Sequence, residues 1–258
     1  MTNEVIDFHC HPFLIPSEDI CIYPDGSPAS PEGFLADITR AGIGRFCGSV
    51  VSRIGHCDTF EPIHTLNMHA LELGRRFGGR YIPGIHVHPS FPAESEREIR
   101  EMAARGVKLV GELVPYMLGW EVGYGAPVSV ELWRLCGELG MTVSAHPTDA
   151  ADMEAAVAAC PETNFVFAHP GERGEFESHL DRMKKYKNSY LDLCGTGLFR
   201  FGMVRHGINA VGADRFLLGT DFPICSASMQ ITGVTGEHIT DSEADAILYG
   251  NAARLLSL

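Results

Sequence analysis

Short runs rich in β-branched and aromatic residues alternate with amphipathic stretches of helical period along the whole of this chain, and no other property limits its fold so severely. Strand-like runs fall at residues 5–9, 45–51, 81–86, 107–111, 142–145, 164–168, 189–193 and 216–219. Helical patterns lie between them at 31–40, 63–77, 94–105, 130–139, 150–160, 176–185 and 242–248. Strict strand–helix alternation requires crossover connections and therefore predicts an α/β fold with a parallel sheet. Eight strands in 258 residues give roughly 32 residues per unit, the size of one strand with its crossover helix. An open doubly wound sheet and a closed barrel both satisfy that pattern. The count of eight favours a (β/α)8 TIM barrel, built as one domain over residues 1–258. Local punctuation agrees: Gly106 and Gly140 close helical patterns where a left-handed residue is wanted, and Pro31, Pro62 and Pro92 stand at or just before helix starts.

Composition narrows the classes of function. Twenty basic residues against thirty-three acidic ones leave a formal charge of −13, and a surface that acidic repels phosphate backbones and anionic headgroups. A small molecule is therefore the expected partner, rather than nucleic acid or a membrane surface. No apolar run approaches the ~18 residues that a membrane span needs. The opening residues Met1-Thr2-Asn3-Glu4 lack the basic region of a signal peptide, so a soluble, cytoplasmic protein is the expectation. Eight cysteines without a Cys-x-x-Cys pair read as buried small hydrophobes rather than a disulfide framework. Many barrels of this kind pair up, so a homo-oligomer is compatible with the sequence. Two connections, 12–30 and 113–127, exceed what joining two elements requires; each reads either as a binding loop or as a structural loop plugging a rim.

The histidines are not scattered. About 0.7 His-Pro dipeptides would arise by chance at this composition, yet there are four: His11-Pro12, His88-Pro89, His146-Pro147 and His169-Pro170. Proline biases the preceding residue toward extended geometry and cannot donate to the next rung of a ladder, so strands tend to end at these histidines. Asp221, two residues ahead of Pro223, ends the eighth strand in the same way. In a (β/α)8 barrel the carboxyl ends of the strands carry the active site, which gathers these residues on one rim. His9 and His11 lie two apart on a strand and so share a face, with Cys10 turned the other way. Paired imidazoles are a natural clasp for zinc or its neighbours. A lone His-x-His is often accidental, but here it is joined by His146, His169 and Asp221 at the ends of strands five, six and eight.

The segments Ile6-Asp7-Phe8-His9-Cys10-His11, Ser144-Ala145-His146-Pro147, Phe167-Ala168-His169-Pro170, Gly219-Thr220-Asp221-Phe222-Pro223 and Gly250-Asn251-Ala252-Ala253-Arg254-Leu255 resemble the amidohydrolase superfamily, most of all its amidohydrolase-2 branch. The resemblance runs from residue 5 to the C-terminus and is specific to the superfamily rather than to any substrate. It implies a distorted (β/α)8 barrel, metal ligands at His9, His11 and Asp221, and further ligands or site histidines at His146 and His169. Glu112, at the end of the fourth strand, departs from many mononuclear members of that branch. In TatD-type hydrolases a glutamate here bridges two metals. If Glu112 does so, the site is binuclear, with His146 and His169 on the second ion; otherwise it orients a ligand histidine from behind.

Three further residues complete the candidate set. His86, in a second His-x-His with His88, reaches the site as a substrate contact or serves as a rim residue bonded to a loop. Arg53 offers a bidentate fork for a substrate carboxylate or is a surface cation, and Tyr116 lies on the long loop 113–127. One or two divalent ions per chain are implied, with zinc the first choice and manganese, iron or nickel compatible with nitrogen and oxygen donors. Such an ion lowers the pKa of bound water toward ~7; Asp221 is placed to accept its proton, and His169 to assist. The expected reaction is hydrolysis of an amide, lactone, ester or phosphoester in a small molecule. The rival is metal-dependent, non-oxidative decarboxylation of an unsaturated or aromatic acid, which the same branch includes. A TatD-type nuclease is disfavoured by the acidic charge, and a purely structural metal site by the open rim and the lack of cysteine in the set.

Overall fold

The computed structural model describes residues 4–258. Its eight strands are β1 (Ile6–Asp7), β2 (Arg45–Gly48), β3 (Tyr81–Ile85), β4 (Leu109–Leu113), β5 (Thr142–Ala145), β6 (Phe165–Phe167), β7 (Ser189–Asp192) and β8 (Phe216–Leu217). They pair in sequence order, every neighbouring pair parallel. Outside the sheet run α1 (Pro31–Arg40), α2 (Glu61–Arg76), α3 (Pro92–Ala104), the single turn α4 (Pro115–Leu118), α5 (Pro127–Glu138), α6 (Ala150–Ala159), α7 (Arg173–Lys185), α8 (Met203–Val211), α9 (Ala227–Thr235) and α10 (Asp241–Asp245). A π-helical turn over 246–250 leads into α11 (Asn251–Leu256). This is the (β/α)8 barrel that the alternation implies. Gly106 and Gly140 take φ values of 90° and 64° after α3 and α5, the left-handed stops read from the sequence.

The first and last strands differ from the pattern-based reading. Both are cut to two residues, where the Asp7 carboxylate accepts the His9 N–H at 3.0 Å and shares the Thr220 N–H, also at 3.0 Å, with the His9 carbonyl. The barrel still closes between them. Phe8 N–H donates to the Leu218 carbonyl at 2.8 Å, and the N–H groups of Thr220 and Asp221 both donate to the His9 carbonyl, at 3.0 and 2.7 Å. Strand β4 runs two residues further than the reading of 107–111, so Glu112 lies within a strand, where the register to β5 shifts between Val110 and Leu113.

Side-chain alternation divides the barrel interior. Toward the N-terminal ends of the strands, Ile6, Phe8, Cys47, Leu109, Val166, Tyr190 and Leu217 form one apolar cluster with Ala252, Leu255 and Leu256 of α11. The last helix is therefore a plug in the floor of the barrel, anchored by Thr142 Oγ1 donating to the Leu255 carbonyl at 3.2 Å. A separate, larger core lies between the sheet and helices α3 and α5 to α10. With the floor sealed, the opposite end is left for polar side chains.

Candidate metal centre on the C-terminal rim

The residues following β1 bring His9 and His11 inward with their Nε2 atoms 3.1 Å apart, while Cys10 turns outward and donates to the Cys47 carbonyl. Glu112 stands across from them. Its Oε2 lies 3.2 Å from His9 Nε2 and 3.4 Å from His11 Nε2; its Oε1 lies 3.0 Å from His146 Nδ1 and 3.8 Å from His169 Nε2. Asp221 Oδ1 is 3.3 Å from His11 Nε2 and 3.6 Å from His9 Nε2. Five residues predicted from strand ends thus meet around a sixth, which the chain places at their centre. Gly111 makes this possible: at φ 105° a Cβ there would lie 2.0 Å from the Ser144 carbonyl oxygen, so no larger residue fits behind Glu112.

His169 and Asp221 themselves hold φ values of 61° and 57°. Left-handed backbone is unfavourable for a residue with a Cβ by roughly 1–2 kcal/mol, and such strain gathers where function over-determines geometry. Two donors of one centre share it.

Electrostatics describe a site built for cations. Burial pushes the Glu112 carboxyl up, but the imidazoles of His9, His11 and His146 reverse this and hold it well below the usual carboxylate range. Burial likewise raises Asp221, and His11 and His9 bring it below its ordinary value. Burial alone would lower His11, yet hydrogen bonds to Asp221 and Glu112 raise it to about 9. Two sets of donors, His9–His11–Asp221 and Glu112–His146–His169, each have their ligand atoms within 4.8 Å of one another, the spread expected around one ion with bonds near ~2.1 Å. The donor chemistry fits a divalent metal held by nitrogen and oxygen.

Sequence reasoning missed the groups behind these donors. Asp192, at the end of β7, accepts from His9 Nδ1 at 2.9 Å, which leaves Nε2 turned to Glu112. Cys194 Sγ lies 3.3 Å from His9 Nδ1 and 3.2 Å from His169 Nδ1, so a cysteine does stand beside the centre, at the outer nitrogens of its histidines. Asp192 and Cys194, at and just past the end of β7, have the same two-residue spacing as His9 and His11, but carry no proline to mark the strand end.

A cavity of about 1410 Å³ opens above the donors, lined by His11, Glu112, His146, His169 and Asp221. Arg53 and Tyr116 also line it, Tyr116 with its ring 5.3 Å from that of His146, edge to face. Arg53 is the one lysine or arginine among the described lining residues. His86 is fully buried and does not line the cavity: its Nε2 bonds to the Val50 carbonyl at 2.8 Å, and burial lowers its pKa to about 4. It is a structural histidine, as is His88, whose Nε2 bonds to the Leu118 carbonyl. His179, within α7 and away from any strand end, also lines the cavity.

A parallel barrel carrying four imidazoles and two carboxylates on its open rim defines the metal-dependent class of barrel enzymes. The chain matches the family model described as amidohydrolase over residues 6–258 and belongs to that family. No curated protein sequence matches it. Among solved structures it is similar to 2,6-dihydroxybenzoate decarboxylase from Rhizobium, with 15% identity, 99% of each chain covered and a TM-score of 0.76. It is also similar to a dihydroxybenzoic acid decarboxylase from Polaromonas with bound manganese, at 15% identity, 100% of this chain and 98% of that one, TM-score 0.73. A protein described as a 2-pyrone-4,6-dicarboxylic acid hydrolase from Acinetobacter baumannii, with citric acid bound, aligns at 16% identity over 100% of both chains, TM-score 0.68. At these identities the likeness speaks for the fold. No helix among the described residues is long and apolar enough to cross a membrane.

Proposed function

We propose that the protein is a binuclear metal-dependent hydrolase acting on an amide, lactone, ester or phosphoester of a small molecule. One observation carries this reading: Glu112 turns Oε2 to His9 and His11 and Oε1 to His146 and His169, the disposition of a bridging carboxylate. His9, His11 and Asp221 would hold one ion, His146 and His169 the other, with zinc the first candidate. When bound, the ions supply Lewis acidity and lower the pKa of a coordinated water toward ~7. The protein's own part is positioning and proton movement. Asp192 fixes the tautomer of His9. Asp221, held ionised by its imidazole neighbours, accepts a proton at its carboxylate and returns it to the leaving group. His146 is partly open to the cavity, with Tyr116 against its ring.

A second reading, decarboxylation of an aromatic or unsaturated acid, draws support from Arg53 as the cation of the cavity wall and from the decarboxylases among the structural neighbours. Metal content per chain, measured on untagged protein purified without chelator, separates the two. About two ions, falling to one in Glu112→Gln, is the expected result. One ion in both proteins, together with CO2 release from 2,6-dihydroxybenzoate, would overturn the binuclear hydrolase.

A further inference from the structure

The mouth of the cavity differs in character from its floor. The floor is the cluster of imidazoles and carboxylates, but the rim carries Ile22, Tyr116 and Phe199, which are 61%, 64% and 68% exposed. They come from three separate segments, following β1, β4 and β7. A second cavity, of about 500 Å³, adjoins the first across Gly195 and Phe199, which line both. Its walls include Leu198, Phe201 and Met229, the last two 73% and 57% exposed, with Gln230 and Glu237 as polar side chains at its edge, where Glu237 Oε2 is shielded from solvent without a hydrogen-bond partner. Single exposed apolar side chains are ordinary on any protein. Here five of the ten large apolar residues exposed in the described chain line one or other of two adjoining cavities, and Phe199 belongs to both. An apolar track that begins at a polar centre is the complement of a molecule with the same division.

Resting on the reading of the rim cluster as the reacting centre, we infer that the substrate is an amphiphile. Its compact polar head, which carries the scissile bond, lies against the metal donors and Arg53. Its apolar tail, alkyl or arylalkyl, passes Phe199 into the side groove between Leu198, Phe201 and Met229. The groove also sets a limit on that tail. Gln230 lines it, and both polar atoms of the Gln230 amide are shielded from solvent without a hydrogen-bond partner. Hydrocarbon pressed against them gains nothing, so the benefit of each added methylene ends there.

The test is calorimetric binding of straight-chain alkanoates, butanoate to decanoate, below their micelle concentrations, to the metal-loaded protein. Affinity is expected to rise roughly two- to fourfold per methylene and then level off. Phe199→Ser and Met229→Ser should flatten that rise, and Met229→Ser, in the side groove alone, should leave butanoate binding within about twofold. Affinity independent of chain length, no binding anywhere in the series, or a rise untouched by both substitutions would each overturn the inference. A dimer in sedimentation that either substitution converts to monomer, with no chain-length dependence, would reassign the groove to contact between two copies of this chain. The slope within the series is independent of turnover. It therefore survives if metal counting refutes the binuclear hydrolase, and fails on its own if the groove does not take the tail.

Discussion

The two ends of this barrel are made from the same eight strands, yet they share almost no chemistry. At the N-terminal end, Phe8, Leu109, Val166 and Leu217 meet Leu255 and Leu256 of α11 in an apolar seal. At the C-terminal end, one or a few residues further along those strands or their extensions, stand His9, Glu112, His169 and Asp221. Closure below supplies the rigidity and excludes water; the open rim spends strain at His169 and Asp221 to aim its donors. The difference teaches that stability and reactivity are separated along the strand axis, so that substitutions at either end should affect one and spare the other.

The sharpest way to break that division is at Asp221. Asp221→Asn is expected to lower turnover of a chromogenic ester by about 10³-fold, since proton transfer by a placed group contributes 10²–10⁴, while the thermal midpoint of the metal-free protein stays near that of the parent. An unfolded Asp221→Asn protein, or one at near-normal rate, would refute the separation. The mirror experiment is Leu256→Ala in the plug. It should cost about 2–4 kcal/mol in urea unfolding and leave the number of ions per folded chain unchanged. Next in size is Asp192→Asn, which removes the carboxylate behind His9. Metal affinity, read by competition with a chelator, should fall about 10- to 100-fold with little change in the urea midpoint of the metal-free protein.

The smallest effect concerns His179, which belongs to neither end cleanly: it lines the cavity and also packs against Phe167, with ring centroids 6.3 Å apart. Burial, and then the charge of Arg182, push its pKa down to about 3. An unfolded histidine takes up a proton near 6.5. The unfolded chain therefore binds the extra proton between those values, and the stability that neutral His179 contributes is full above about pH 6.5 and is lost as pH falls toward 3. Between pH 7.5 and pH 5 this group should account for about 1–2 kcal/mol of lost stability. Urea midpoints for His179→Gln should show a correspondingly shallower decline.

Much of the rim was legible because proline advertises it. His11, His146 and His169 each precede a proline, and Asp221 stands two residues before one, so strand ends could be placed without coordinates. Asp192 and Cys194 carry no such marker; their role follows only from β7 lying beside β8, which is a fact of closure rather than of local pattern. His86 shows the opposite failure. Its spacing suggested the site, but Asn67 binds its backbone and Val50 takes its ring, so tertiary packing turned it into core. The C-terminal plug was equally hidden, since a π-helical turn interrupts the periodicity between α10 and α11.

The seam between β1 and β8 has one more consequence. It is held by a buried aspartate and a few backbone bonds, and it is where the first and last turns of the (β/α)8 circuit must meet. His9 and His11 hang on one lip of that seam and Asp221 on the other. An ion held by all three would be a rivet through the join. Loading the centre and locking the two ends of the barrel circuit together would then be one linked equilibrium, in which whatever strips the ion also loosens the hoop.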